Sequence, residues 1–362
     1  MDVIAFVNNL FFEATSNRAS DIHIEPSCEN LIIRQRIDGY LVETNRLPLE
    51  EANAVISRLK VMGQLDIGEK RLPQDGAMTV EMGEKKIEVR LATIPVLYGE
   101  KLVLRLLPGQ LAVSNLTQLG MEFEEVTRVS NLLKRTGLIV VTGPTGAGKT
   151  TTLYTLLRLL DHHQRNIVTL EDPIEIQLSG INQVQVHHKI GFTFAKGLRA
   201  ILRQDPDVMM IGEIRDQESA EIAIEAALTG HLVLTSLHTT DGSSVITRLI
   251  DMGIPAYLVA SALSGVIAQR LIRLSCTKCK GKGCPHCNMS GYYNRSGIFE
   301  VLYLDESVQS LIMKEPTVGQ IRQHFQRKGV HMLEHALRKK YDHGLTTEEE
   351  LNYLAMDVMK SG

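Results

Sequence analysis

The chain has 362 residues, 44% hydrophobic and 22% charged, enough for two or three globular domains that each bury a core. Its 39 basic and 42 acidic side chains leave a formal net charge of −3, which excludes a surface built wholly as a nucleic-acid footprint. No apolar run approaches a bilayer span, and the N-terminus lacks the cationic flank and small-residue cleavage site of a signal peptide.

In chain order, MDVIAFVNNLFFEA reads as an amphipathic helix. SDIHIEP (20–26) and NLIIRQRIDGYLVE (30–43) read as two strands, the second ending in a turn at Asp38-Gly39. A helix is expected over 49–62, and residues 71–107 alternate strand-like runs with Gly and Pro breaks, the pattern of a small antiparallel sheet. Residues 1–107 are thus expected to form an N-terminal α/β domain, 108–115 a linker, and 116–362 the second domain. There GLIVVTG (137–143), NIVTLED (166–172), DVMMIGE (207–213) and HLVLTSLH (231–238) read as buried strands separated by helical patterns. That alternation predicts a largely parallel sheet with helices on both faces. Residues 305–362 return to a charged, helical pattern.

GPTGAGKT (143–150) fits the phosphate-loop pattern at every fixed position, and it follows a strand and opens a helix as that pattern requires. Glycines at 143, 146 and 148 let backbone N–H groups converge on phosphate oxygens, and the helix N-terminus adds positive partial charge. Gly143, Pro144, Thr145, Gly146, Ala147, Gly148, Lys149, Thr150 and Thr151 are therefore expected to contact nucleotide. Lys149 would reach the β- and γ-phosphates of ATP, and the Thr150 hydroxyl would help hold Mg²⁺. A chance glycine-rich turn is the bland alternative, and the strand–loop–helix context argues against it.

Hydrolysis also needs carboxylates near the metal and the attacking water. Glu171-Asp172 and Glu213 fall at two predicted strand ends, which in an open α/β sheet line the same crevice as the phosphate loop. His231 and His238 flank a third strand, with His238 at its carboxyl end. A lone histidine is most often a satisfied, partly buried ring; beside the other strand ends, His238 is a candidate to sense phosphate or position water.

Four of the five cysteines form Cys276-x2-Cys279-x4-Cys284-x2-Cys287, two knuckles of the tetrahedral zinc type. The four-residue spacer is tight, and Gly281 and Gly283 would permit the reversal it needs. His286 could replace one thiolate. With four protein ligands the expected Zn²⁺ is structural, having no open position. Nothing nearby reads as a thioredoxin-like unit that would make the cysteines a redox pair. Cys28, alone in the first domain, reads as a packed small residue.

These motifs together resemble the secretion ATPases of type II secretion, type IV pilus and competence systems. The likeness rests on GPTGAGKT, VTLEDPIE (168–175), LRQDPDVMMIGEIRD (202–216) and TGHLVLTSLHTTD (229–241), with SDIHIEP, RIDG, RLPQDG and RSGIFEVL around them. The resemblance implies a RecA-like P-loop domain preceded by a smaller PAS-like α/β domain, with a small zinc-binding insertion at 274–292. It implies that Glu171 polarises the attacking water, Glu213 sits at the magnesium, and His238 senses the γ-phosphate. It also implies that first-domain arginines Arg90 and Arg105 reach the γ-phosphate, that Arg199 and Arg203 contribute from one helix face, and that Arg71 and Arg295 are weaker candidates. A guanidinium brought in by domain motion would neutralise charge on the transferring phosphoryl group and couple hydrolysis to movement.

The same resemblance implies a cytoplasmic homo-hexamer, attached peripherally to a polytopic inner-membrane platform protein. Within the family the tetracysteine element marks assembly and export members rather than pilus retraction, although those members often carry a longer insertion between the two cysteine pairs. The chain begins almost directly at the SDIHIEP domain, as in the short competence-pilus assembly ATPases of Gram-positive bacteria. Two other readings are a nucleic-acid motor using Lys278, Lys280 and Lys282, and a regulator that binds nucleotide without turnover. The first lacks the aromatic interleaving of single-strand binders, so no direct nucleic-acid contact is expected. The second is disfavoured by the complete set of strand-end acids.

Overall fold

The chain divides into Met1–Gln110 and Leu111–Gly362. This computed structural model describes residues 1–83, 85–107, 113 and 115–359, so most of the expected linker at 108–115 lies outside the described residues.

In the first unit, the helix Val3–Ser16 starts where the Asp2 carboxylate accepts from the amides of Ile4 and Ala5 at 3.0 and 3.2 Å. It buries Val7, Leu10, Phe11 and Ala14. Six strands follow: β1 (Ala19–Pro26), β2 (Asn30–Ile37), β3 (Tyr40–Pro48), β4 (Gln74–Met82), β5 (Lys85–Val96) and β6 (Gly99–Leu107). They form one antiparallel sheet in the order β3-β2-β1-β6-β5-β4. The second expected strand is in fact a whole hairpin. Asp38 (φ 49°) and Gly39 (φ 94°) supply the two left-handed residues a tight turn needs, and the chain continues as β3. Period-two alternation sends Ile22, Ile24, Leu31 and Ile33 to one core with Val7, Phe11, Val55 and Leu59. Val55 and Leu59 belong to the helix Ala52–Met62, which a short 3₁₀ turn over Leu49–Glu51 introduces.

The second unit holds β7 (Gly137–Thr142), β8 (Ile167–Glu171), β9 (Asn182–Gln185), β10 (Val208–Ile211), β11 (Leu232–Leu237), β12 (Leu263–Ser275) and β13 (Tyr292–Tyr303). Their order is β13-β12-β7-β11-β10-β8-β9, parallel throughout except for the antiparallel β12–β13 pair. Strands β7, β8, β10 and β11 are buried along their whole length, which is why they read as continuous apolar runs. Alternate residues of β7 serve two cores: Leu138 and Val140 pack on one face of the sheet, Ile139 and Val141 on the other. Three strands were not expected from the sequence: β9, β12 and β13. The cysteine segment is the connection of the long β12–β13 hairpin. The C-terminal helices are Glu306–Ile312, Val318–Arg327, Leu333–Asp342 and Glu348–Met359. Among the described residues no helix is long and apolar enough to cross a membrane.

Candidate functional site

Strand register gathers the chemistry at one edge of the second unit. Thr142 of β7 pairs with Leu237 of β11, and Ile211 of β10 pairs with Leu170 and Thr235. Gly143, Glu171, Glu213 and His238 therefore all lie at the carboxyl edge of the parallel strands.

The phosphate loop bends there because glycine allows it. Gly143 has φ +154°, and a Cβ on it would stand 2.5 Å from the Gln269 carbonyl oxygen of β12. The Gln269 side-chain amide also donates to the Ala147 carbonyl, so β12 braces the loop from beside it. The helix Lys149–Arg158 then begins directly after Gly148.

Lys149 folds back into its own loop. Its ammonium donates to the carbonyls of Gly143 at 2.8 Å and Pro144 at 3.0 Å, and lies 3.4 Å from Nδ1 of His238. Burial pushes Lys149 down to about 8; Glu213 opposes that shift and Arg270 adds to it. On its far side His238 places Nε2 3.2 Å from the Glu213 carboxylate. Since Lys149 can only donate and an ionised Glu213 only accept, the pairing assigns a neutral ring with the proton on Nε2. Glu213 is also ion-paired with Arg215. Burial pulls the Glu213 carboxyl upward, yet Arg215 and then His238 outweigh it and leave the group below its ordinary value. The half-buried Thr150 follows Lys149 at the head of the helix, and its hydroxyl makes no hydrogen bond among the described residues. Thr150 and Glu213 are the oxygen donors that suit a hard divalent cation.

Glu171 is buried more deeply than Glu213. It is the last residue of β8, 3% exposed, and its carboxylate accepts from Thr169 at 2.6 Å, Gln183 at 3.0 Å and the Tyr154 hydroxyl. A group that polarises water must offer it a free lone pair. Here three neighbours donate to the carboxylate, two at one oxygen and one at the other, and hold it against the strand end. The exposed acid of the same segment is Glu175, whose backbone amide donates to the Tyr154 hydroxyl at 3.2 Å. Asp172 faces His188 at 3.0 Å.

Arg199 and Arg203 of the second unit hold other partners. Arg199 pairs with Glu218 at 2.8 Å with both side chains 55% exposed, and Arg203 donates to the Arg199 carbonyl at 2.7 Å. Arg90 and Arg105 belong to the first unit, where they stand directly opposite each other on β5 and β6 and line a concavity of about 590 Å³ with Asp75. Arg105 also donates to Asp21 at 3.0 Å. Arg71 is paired with Glu69 and 87% exposed, and Arg295 is an exposed residue of β13. His231 lies at the opposite end of β11, its Nδ1 2.9 Å from the Ala226 carbonyl, a helix-end contact away from the loop.

Sequence reasoning missed Arg215, Tyr154 and Gln269. Arg215 was visible in GEIRD two residues from Glu213; the other two depend on which helix and strand pack beside the loop.

The four cysteines converge. Their sulfurs all lie within 4.8 Å of one another, with Cys276–Cys284 at 3.9 Å, Cys279–Cys287 at 3.8 Å and Cys284–Cys287 at 3.7 Å. A tetrahedral Zn–S bond of about 2.3 Å requires sulfur–sulfur edges of about 3.8 Å. Those three edges match, and the four thiols suit a tetrahedral metal. Backbone amides of Cys284 and Gly291 also point at the Cys287 sulfur, at 3.2 and 3.3 Å. His286 stacks on Tyr293 with ring centres 4.3 Å apart and stands outside the sulfur group. Cys28 is exposed rather than packed, because it sits in the turn between β1 and β2.

Comparison with known proteins extends these observations. The sequence profile described as type II/IV secretion system protein matches residues 1–353. The chain is 44% identical to the type II secretion system protein E of Pseudomonas aeruginosa, over 96% of this chain and 74% of that one. It is 42% identical to the type IV pilus assembly ATPase PilB of Myxococcus xanthus, over 98% of this chain and 68% of that one. The ATPase DotB of Legionella pneumophila shares the fold, with a TM-score of 0.76 at 22% identity over 97% of this chain and 95% of that one.

Proposed function

The chain belongs to the type II/IV secretion system protein family and is an ATPase, and we propose that its hydrolysis drives assembly of a competence pseudopilus or type IV pilus, or type II secretion. One observation carries the mechanism: Gly143, Lys149, His238 and Glu213 form an unbroken polar line along the phosphate-loop edge.

Lys149 now satisfies its ammonium on two loop carbonyls, which β- and γ-phosphate oxygens of ATP would replace with charged acceptors. Moving toward phosphate takes Lys149 from His238 Nδ1, so His238 registers the γ-phosphate through the loss of that neighbour. Thr150 and Glu213 would hold Mg²⁺, whose charge, when bound, offsets that of the phosphates. We assign Glu171 to positioning the β8 end, and the orienting of water to an acid on the exposed side, Glu213 or Glu175. Arg90 and Arg105 are like charges directly opposite on adjacent strands, an arrangement that favours an anion beside them. We place the γ-phosphate in that role when the first domain closes on the second. Arg199 and Arg203 would reach nucleotide only after leaving their present partners.

The machine we infer is a cytoplasmic homo-hexamer attached to an inner-membrane platform protein. The zinc-type hairpin supports the assembly and export reading over retraction. Lys149→Ala should lower phosphate release at least about 10²-fold, the scale of losing a preorganised charge at the reacting centre. Turnover at the wild-type rate in that variant would overturn the mechanism. Metal analysis of the purified chain should find about one zinc per chain held as the four-cysteine set. Recovery of far less than one would sink the metal assignment while leaving the ATPase reading intact.

A further inference from the structure

His238 heads a loop that is fastened at both ends. Behind it, the Thr239 amide donates to the Thr142 hydroxyl oxygen at 3.1 Å, and the two threonine hydroxyls lie 2.7 Å apart. Thr142 is the last residue of β7, directly before the phosphate loop. Arg270 of β12 donates to the Thr240 carbonyl. Ahead of it, Asp241 is 3% exposed; its carboxylate accepts from the amide and hydroxyl of Ser244, both at 2.8 Å, and is ion-paired with Arg322 of the helix Val318–Arg327. The Gly242 amide donates to Glu300 of β13 at 3.2 Å, and the other Glu300 oxygen accepts from the Leu333 amide at 3.2 Å, where the next C-terminal helix starts.

This is an expensive way to hold a loop. Glu300 is 2% exposed, and its two oxygens accept from backbone amides. Burial, and then the neighbouring Asp241, push its carboxyl up to about 7. Two buried acids and one partly buried arginine stabilise less than apolar packing of the same volume, but they specify one arrangement. Contact is close as well: a Cβ on Gly242 would stand 2.7 Å from both the Glu300 carboxylate and the Leu302 side chain.

We propose that Arg322 and Glu300 are positioning residues for His238: by clamping Asp241 and Gly242 they join the nucleotide edge to the C-terminal helices, so that the two move as one piece. The proposal rests on the ATPase reading and adds a route by which the state of the phosphate site reaches the far end of the chain. Neither residue touches the phosphate loop. Each acts through the loop that carries the histidine.

The test is steady-state phosphate release by the full chain, well below the melting temperature, in Arg322→Gln, Glu300→Gln and Gly242→Ala. Each should lower kcat about tenfold or more with KM for ATP within about twofold, since displacing a reacting group by about 1 Å costs up to about 10²-fold. In a His238→Ala background, Arg322→Gln should change kcat by less than about twofold, because the two act as a unit. Glu350→Gln is the control: it breaks the ion pair between Glu350, on the helix Glu348–Met359, and Arg273 of β12, and should cost stability without lowering kcat. If Arg322→Gln does not fold, Gly242→Ala carries the test, because Gly242 has φ −70°, a backbone any residue adopts, and its Cβ would press on the Glu300 carboxylate and the Leu302 side chain. Wild-type kcat in the clamp variants, or losses that multiply with His238→Ala, would overturn the proposal. A wild-type chain that releases no phosphate sinks the ATPase reading and this proposal with it. A hydrolysing wild type beside indifferent variants sinks this proposal alone.

Discussion

Strands β8 and β10 are parallel neighbours, and each delivers a glutamate to the same edge with opposite results. Glu171 is still inside β8, so the two-residue period of the strand puts it on the same face as Thr169, whose hydroxyl it accepts at 2.6 Å. Helix and strand neighbours then supply Tyr154 and Gln183 as further donors to the buried carboxylate. Glu213 lies two residues beyond Ile211, past Gly212, where no strand period aims it. It remains partly open, with a side chain 20% exposed and in contact with His238 and Arg215. A motif locates an acid at an edge, whereas the strand boundary determines whether it faces the core or the crevice.

The comparison predicts two different failures. Glu171→Ala leaves three buried or part-buried donors without their acceptor, which should cost about 3–5 kcal/mol of stability. In a unit of this size that lowers the melting temperature by roughly 10 °C, measurable by calorimetry or circular dichroism. A stable Glu171→Ala chain with hydrolysis abolished would return the water-polarising role to Glu171 and erase the distinction. Glu213→Gln should do the reverse, with kcat down about 10²–10³-fold and the melting temperature within a few degrees of wild type. Phosphate-release kinetics set beside thermal melts decide both.

How much of this was legible depended on how local the signal is. The phosphate loop, the parallel core and the cysteine cluster are written in short stretches: glycines at fixed steps, apolar runs of strand length, and paired thiols. The β12–β13 hairpin escaped because its outer end is polar and interrupted. RLIRLS and YYNRSG lack clean alternation, and the cysteine run between them looks like an insertion rather than a turn. Short, half-polar β9 (NQVQ) offers little period to detect. At the site, Lys149 was visible in the phosphate-loop pattern, and Glu213 and His238 as strand-end residues. The burial of Glu171 was not, because two of its three donors come from positions 154 and 183, and only packing joins them. Arg199 and Arg203 were placed by helix spacing, but the helix Phe194–Ile201 ends before Arg203, and spacing does not give the partner either side chain meets.

Glu300 extends the comparison to a third buried acid, held by backbone amides instead of side chains. Its ordinary value is 4.5 and the folded chain raises it to about 7. Between those values the folded state binds a proton that the unfolded state has already released. Stability from this group is therefore fully present at the acid end of the window and is lost as pH rises through it. Glu300→Gln cannot titrate and keeps one amide acceptor. Relative to that variant, the wild type should lose on the order of 2 kcal/mol of unfolding free energy between pH 5 and pH 8. Chemical denaturation of both chains across that range measures the difference directly. Parallel curves would mean that the carboxylate carries its charge in the folded chain at pH 5 as it does at pH 8. The amides of Gly242 and Leu333 would then suffice to hold a full charge that in Glu171 is met by three side-chain donors.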